Sequence, residues 1–210
     1  MKLWRVNAAD QTLSIEECPP EWVHLGGRGL IARIMLDEVP AGCDPLGPKN
    51  KLIFSPGLLV GHRLSSCDRI SVGTKSPLTG GIKEANAGGR TGYQLAELGI
   101  KVLIIEGAPP SGESSILHLS KHGAEFSSAE DLTGKGVYET ARILFERYGD
   151  KVAIALIGPG GERRMLSAGI QNVDKDGVPS RINARGGVGA VMGSKGLKAI
   201  VIDSSGGEAP

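Results

Sequence analysis

The chain repeats its own order of parts, and that repetition limits what it can fold into. A G-x-G step before a helical stretch occurs at Gly27 and again at Gly134, 107 residues later. A Pro-Gly that stops a strand sits at Pro56 and at Pro159, 103 residues apart. An Asn-Ala loop starts at Asn86 and at Asn183, and a Gly-apolar-Lys strand at Gly99 and at Gly196, both 97 residues apart. Four landmarks in one order point to an internal duplication. Chance is the competing account, because glycine is 32 of 210 residues, roughly twice the average usage. If the halves are related, they are expected to pack about a pseudo-two-fold axis. Both glycine loops then face one site, each covering half of a roughly symmetric ligand.

The local pattern fills in the repeat. Leu3 to Val6 and Thr12 to Glu16 read as a hairpin around Ala8-Ala-Asp-Gln11. Leu30, Ile31, Ile34 and Met35 form one apolar helix face running to about Glu38. Strands are expected at Leu52 to Ser55, Arg69 to Thr74 and Val102 to Glu106, the last closed by Gly107-Ala-Pro-Pro-Ser-Gly112. A short helix holding Tyr93, Ala96 and Leu98 stops at Gly99. In the second half, Val137, Ala141, Leu144, Phe145 and Tyr148 mark a helix. Val152 to Ile157 and Gly196 to Asp203 mark strands.

Net charge is +1, which argues against a polyanion binder such as a nucleic-acid partner. The longest apolar runs, Val102 to Ile105 and Val152 to Ile157, fall far short of the roughly 20 residues that span a bilayer. No apolar leader follows Met1, and three cysteines with gaps of 25 and 24 residues match no close-spaced metal or redox motif. A cytoplasmic chain with reduced thiols, and no membrane partner, is the expectation.

Asn86-Ala-Gly-Gly-Arg-Thr-Gly92 and Asn183-Ala-Arg-Gly-Gly-Val-Gly189 carry the chemical interest. Each precedes a short helix, whose N-terminal N–H groups suit phosphate, and glycine lets backbone approach a ligand. Arg69, Arg90, Arg181 and Arg185 lie in or beside them. Guanidinium matches phosphate or a heterocycle edge. The alternative is that these are only tight connections. Neither loop completes a P-loop, and Gly26-Gly-Arg-Gly29 does not complete a dinucleotide fingerprint. His118 and His122 sit on a strand and a turn and do not read as a metal pair. His62 beside Arg63 reads as a solvated loop histidine, and Cys67 as a spectator, because no activating base is identifiable.

Several longer runs resemble a known family. They are Gly26-Gly-Arg-Gly-Leu-Ile-Ala-Arg33, Asp44-Pro-Leu-Gly-Pro-Lys-Asn-Lys-Leu-Ile53, Thr74-Lys-Ser-Pro-Leu-Thr-Gly80, Asn86-Ala-Gly-Gly89 and Leu103-Ile-Ile-Glu-Gly107. The longest is Arg185-Gly-Gly-Val-Gly-Ala-Val-Met-Gly-Ser-Lys-Gly-Leu-Lys-Ala-Ile200. Over nearly the whole chain, from about Leu3 to about Asp203, the sequence resembles the N-terminal domain of the tungsten-containing aldehyde ferredoxin oxidoreductases.

The resemblance implies an α+β domain over residues 1–210, with pseudo-repeat halves at about 20–110 and 130–205. The duplicated, β-rich halves with short helices would form a saddle-like base for a tungstopterin, a bis-molybdopterin with tungsten or sometimes molybdenum. Arg69 matches the arginine between a pterin and an iron–sulfur cluster. Asn86 and Gly88 match the first pterin loop, and Arg181, Ile182, Ala184 and Arg185 the second. Backbone carbonyls of Asn86 and Ile182 match the positions that take a magnesium ion bridging the two pterin phosphates.

Departures count as well. The family's [4Fe–4S] ligands and its proton-transfer residues lie in later domains about twice this chain's length, so cluster ligands would come from C-terminal domains or a separate cysteine-rich subunit. Ferredoxin is the implied electron acceptor of the assembled enzyme. Arg90-Thr91 stands where an aromatic pair is common, so Arg90 either points at a phosphate or marks a loop that binds differently. Cys67-Asp68 before Arg69 is also atypical. Three readings follow: the pterin-binding part of an aldehyde-oxidising enzyme, incomplete alone; a subunit of a related tungsten enzyme with another substrate, such as an aromatic acyl-CoA; or a non-catalytic cofactor-binding module.

Overall fold

The computed structural model describes residues 1–62, 64–109 and 113–207. Arg63 beside His62, residues 110–112 of the closing turn and residues 208–210 lie outside the described residues. Two six-stranded sheets carry the fold. The first contains β1 (Lys2–Asn7), β2 (Thr12–Glu17), β3 (Leu52–Pro56), β4 (Ile70–Lys75), β5 (Ile82–Ala87) and β6 (Ile100–Glu106), in the order β2-β1-β6-β3-β4-β5. The second contains β7 (Ser115–Ser120), β8 (Gly123–Ser128), β9 (Ala153–Leu156), β10 (Ile170–Asn172), β11 (Arg181–Asn183) and β12 (Leu197–Ile202), in the order β8-β7-β12-β9-β10-β11. The two orders are identical once β7 is set on β1 and β12 on β6. The opening hairpin β1–β2 thus has its own counterpart in β7–β8.

The likeness extends to a defect. β1 runs parallel to β6 with a register shift that skips Lys101, and β7 runs parallel to β12 with a shift that skips Lys198. Both lysines are buried at those bulges. Lys101 Nζ donates to the Val23 carbonyl at 2.9 Å, and Lys198 Nζ to the Lys135 carbonyl at 2.9 Å and to the Glu162 carboxylate. Each lysine therefore ties a bulged strand to the chain entering the long helix of its lobe. The Gly-apolar-Lys landmark read from the sequence is this device.

Helices α1 (Gly27–Glu38) and α3 (Val137–Tyr148) cover the outer faces of the two sheets. Leu30, Ile31, Ile34 and Met35 are the buried stripe of α1, as their spacing predicts. The helix crosses β4 at Gly73, where an added Cβ would lie 2.2 Å from Ile31 Cγ2. Val39 stays extended ahead of Pro40 and ends α1. Short helices α2 (Thr91–Glu97) and α5 (Val188–Ser194) pack between the sheets, and α4 (Pro159–Glu162) is a single turn. Trp4, Val6 and Phe54 meet Leu117, Leu119 and Ile200 in the shared core. Two lobes that bury one face against each other and the other under a helix account for the many fully enclosed aliphatic side chains.

Lys195, at the end of α5, is buried and reaches across the lobes to the carbonyls of Gly47 (3.1 Å) and Asn50 (2.6 Å). Burial, with Lys51 nearby, pushes its pKa down to about 8. Among the described residues no helix is long and apolar enough to cross a membrane.

Candidate functional site: a seam between two edge strands

Strands β5 and β11 are each one edge of their sheets, and they meet. An edge strand presents backbone groups without ladder partners. Here buried side-chain amides take that place. Asn183 Nδ2 donates to the Ala85 carbonyl at 2.7 Å, and its Oδ1 accepts from Asn172 Nδ2 at 2.8 Å. Asn172 Nδ2 also reaches the Arg181 carbonyl (3.2 Å), and its Oδ1 accepts the Thr91 hydroxyl (2.8 Å). The network joins α2, β5, β10 and β11 across the lobes.

The registers correct one alignment made from the sequence. Ile70 pairs with Ala87 and Ser71 with Asn86, whereas Ile170 pairs with Asn183 and Gln171 with Ile182. The counterpart of Asn86 is therefore Ile182, one residue before the Asn183 suggested by the shared Asn-Ala. A one-residue slip moves a strand side chain to the other face. Accordingly Asn86 is exposed, and Asn183 is buried like its true counterpart Ala87.

Two grooves flank the seam. The first, about 860 Å³, contains Arg69, Gly88 and Arg181. The second, about 540 Å³, contains Asn86, Ile182, Ala184 and Arg185. The seven residues singled out in the sequence thus come from both lobes and border one seam. A polar chain links the grooves. Arg69 Nε donates to Asn86 Oδ1, Asn86 Nδ2 to Ser71 Oγ (3.1 Å), and the Ser71 hydroxyl to Glu84 Oε1 (2.6 Å). Glu84 in turn holds Arg28 Nε at 3.3 Å.

The glycine loops work differently from the expectation of free helix ends. The Arg90 N–H at the start of α2 donates to the Val173 carbonyl (2.9 Å), and the Gly189 N–H of α5 to the Ala168 carbonyl (2.9 Å). Both helix starts are engaged inside the protein. The glycines mostly serve internal approach: a Cβ on Gly187, at φ +73°, would lie 2.2 Å from the Leu166 carbonyl. Gly88 differs, because its Cβ position meets only Arg181 Cδ at 3.9 Å and otherwise opens on the first groove.

Arg90 lines the first groove with its guanidinium engaged by backbone. Its guanidinium donates to the carbonyls of Asp150 (2.6 Å), Val152 (3.3 Å) and Lys175 (2.7 Å). One turn on, Gln94 donates to the Lys151 carbonyl (2.6 Å) and accepts the Ala153 N–H (2.9 Å). The two clamp α2 to the start of β9. Their i, i+4 spacing was the available signal, and neither Gln94 nor Asn172 stood out in the sequence.

The electrostatics of the grooves differ. The first mixes Asp68, Asp174 and Asp176 with Arg69, Lys175 and Arg181. The Ser180 hydroxyl, with the N–H groups of Val178 and Asp176, holds the Asp174 carboxyl below its ordinary value. Asp68 Oδ1 is buried with no hydrogen-bond partner among the described residues. No cluster of three His, Cys, Asp or Glu able to hold a metal occurs among them. His118 instead lies beside Tyr148, ring centroids 5.0 Å apart, and Cys18, Cys43 and Cys67 are free thiols.

Comparison with known proteins identifies the family. Residues 3–204 match the family model for the aldehyde ferredoxin oxidoreductase N-terminal domain. The chain is 42% identical over 204 residues to the tungsten-containing aldehyde ferredoxin oxidoreductase of Pyrococcus horikoshii, covering 96% of this chain and 32% of that protein. It is 29% identical over 197 residues to the WOR-like subunit of an aliphatic sulfonate oxidoreductase from Pyrococcus furiosus, covering 86% and 30% respectively. Among solved structures, a chain of the active-site complex BamBC of benzoyl coenzyme A reductase, in complex with 1,5-dienoyl-CoA, superposes with a TM-score of 0.89 at 34% identity. That match covers 99% of this chain and 30% of the other. The chain spans about a third of the length of the relatives it matches, and it belongs to the aldehyde ferredoxin oxidoreductase family as a counterpart of its N-terminal domain.

Proposed function

We propose that this chain is the cofactor base of a tungsten oxidoreductase that converts aldehydes to carboxylates, and that it is catalytically incomplete alone. The observation that carries this reading is the convergence of Arg69, Asn86, Gly88, Arg181, Ile182, Ala184 and Arg185, from two matched lobes, on one seam. A ligand with two similar halves suits a site with two similar halves.

The residues fit a bis-molybdopterin. Cations flank the seam on both sides, and Gly88 leaves the first groove open to a flat ring. Asp68 lines the first groove beside Arg69, and its Oδ1 has no hydrogen-bond partner among the described residues. When bound, the cofactor supplies the two-electron chemistry at its metal. The chain's part is positioning. Arg69, braced by Asn86, presents its guanidinium at the first groove, and Arg181 and Arg185 present theirs on either side of β11. Asn86 and Ile182 occupy matched register positions in β5 and β11. That match supports the backbone carbonyls of Asn86 and Ile182 as the groups that would hold a magnesium ion, one from each lobe. Iron–sulfur ligands and ferredoxin contacts belong to the partner domains or subunit. A second reading, a subunit for aromatic acyl-CoA reduction, is favoured by the close structural match to the BamBC chain.

The test is elemental analysis for W, Mo and Fe on the protein purified from its native cells, with co-purifying chains identified. Tungsten or molybdenum with iron and a cysteine-rich partner is expected. Metal without turnover on aldehydes or acyl-CoA would leave only a cofactor module, and no metal with no partner overturns the reading. The 210-residue chain alone is expected to oxidise no aldehyde.

A further inference from the structure

We infer that Ser71 and Glu84 are positioning residues for Arg69, setting the direction of its guanidinium through the Asn86 amide. The inference rests on the cofactor reading only for what Arg69 meets in the first groove.

Strand geometry puts the four residues on one face. Side chains two apart along a strand share a face. Arg69, just before β4, and Ser71 within it are two apart, as are Glu84 and Asn86 in β5. Ser71 pairs directly with Asn86, and Glu84 with Gly73. With glycine opposite it, Glu84 reaches the diagonal neighbour Ser71 instead.

The hydrogen bonds then run in one direction. Ser71 is buried under the start of α1, its Oγ 3.4 Å from the Cβ position of Gly27. Its hydroxyl has a single proton, and Glu84 Oε1 takes it at 2.6 Å, while Glu84 Oε2 holds Arg28 Nε at 3.3 Å. Ser71 Oγ therefore faces Asn86 with a lone pair, and Asn86 Nδ2 donates to it at 3.1 Å. That fixes the amide, whose Oδ1 accepts from Arg69 Nε. A flipped amide would set Nδ2 against the Arg69 donor, and Oδ1 against a hydroxyl whose proton is already committed. Both contacts would fail, so the four groups hold one arrangement.

The effect falls on a long side chain. The Arg69 backbone is pinned: its N–H donates to the Cys67 carbonyl at 2.8 Å, and its carbonyl lies 2.9 Å from the Cβ position of Gly92. The side chain is exposed, and such a chain otherwise samples many rotamers. With Nε on Asn86, the terminal pair is the fork presented to the groove that Arg69 lines. An amide steers the guanidinium without cancelling its charge. The carboxylate of the relay stands two groups away, paired with Arg28.

Both sheets are complete and each outer face is covered, so the 210-residue chain is the object to test. Side-chain NMR on nitrogen-labelled arginine follows exchange of the Arg69 Nε–H with water. Ser71→Ala and Glu84→Gln are each expected to quicken that exchange about tenfold, the scale of one lost charge-assisted hydrogen bond. Arg181 lines the same groove outside the relay and is expected to stay unchanged. Ser71→Thr keeps the hydroxyl and is expected to restore slow exchange. Metal content of the assembled enzyme is the second readout. It is expected to fall in Ser71→Ala as in Arg69→Ala, and no further in the double variant. Unchanged Arg69 exchange in both chain variants, or an equal change at Arg181, overturns the relay. Metal lost from Arg69→Ala but fully kept in Ser71→Ala overturns the positioning role and leaves the cofactor reading. Faster Arg69 exchange, with metal unaltered in Ser71→Ala and Arg69→Ala alike, supports the relay and removes the cofactor role of Arg69.

Discussion

Replacing Asn183 by alanine tests whether the seam is held by its amides. The side chain is fully buried and makes two good contacts. Its loss leaves the Ala85 carbonyl without its 2.7 Å donor, and deprives Asn172 Nδ2 of its 2.8 Å acceptor. Asn172 keeps the Arg181 carbonyl at 3.2 Å, so one partner is orphaned and the other weakened. At about 1–3 kcal/mol per unsatisfied buried group, the expected loss is about 2–4 kcal/mol. For a chain of this size each kcal/mol moves Tm by about 2–4 °C, so a fall of roughly 5–15 °C is expected. Urea unfolding and a thermal melt measure both. Hydrogen exchange should show β11 and the end of β5 opening first. Asn183→Asp is expected to be worse, because a carboxylate would face the Ala85 carbonyl as a second acceptor. Pairing Asn183→Ala with Asn172→Ala should cost less than the two losses added, since they share one hydrogen bond. A loss under about 1 kcal/mol, or strict additivity, refutes the claim that these amides hold the lobes.

Other expectations can be checked directly. Gly187→Ala places a Cβ 2.2 Å from the Leu166 carbonyl at φ +73°. Backbone strain alone costs about 1–2 kcal/mol, and urea unfolding should show a larger total. Lys195 is depressed to about 8 from 10.5, so between those values the unfolded chain holds a proton that the folded chain does not. Stability should then rise with pH across that window. Measured against Lys195→Met at pH 7.5 and 9.5, the wild type should gain, and a flat or reversed difference would contradict the assignment. Arg69→Ala should lower metal content in the assembled enzyme, and unchanged content would remove its role.

Much of the fold was legible because its central parts obey simple periods. The α1 stripe of Leu30, Ile31, Ile34 and Met35, and the apolar runs of β6, β9 and β12, stand out in the sequence and are buried as read. The strands at the seam were not legible. β5 is Ile-Lys-Glu-Ala-Asn-Ala, and β10 and β11 are three residues each. Short or polar strands lack the alternation that marks a half-buried strand. The candidate site lies along that seam, so its residues were read through the family resemblance and the arginines. Their partners were hidden: Asn172 and Gln94 act through contacts 81 and 59 residues away in sequence. The Asn-Ala repeat even misled by one position, because similar letters occupy opposite faces of equivalent strands.

The strand order also sets a schedule for synthesis. In each lobe the last strand is an inner one: β6 lies between β1 and β3, and β12 between β7 and β9. As the ribosome emits the chain, β1–β2 and β3–β4–β5 emerge as two separate pieces with no ladder between them. Neither piece can join the other until Ile100–Glu106 arrives and pairs with both at once. Three or more strands with a covered face are needed for a stable sheet, and pairings this distant in sequence form slowly. Each half of the molecule therefore waits, open-edged, for its final seven or six residues, and closes as a unit when they appear.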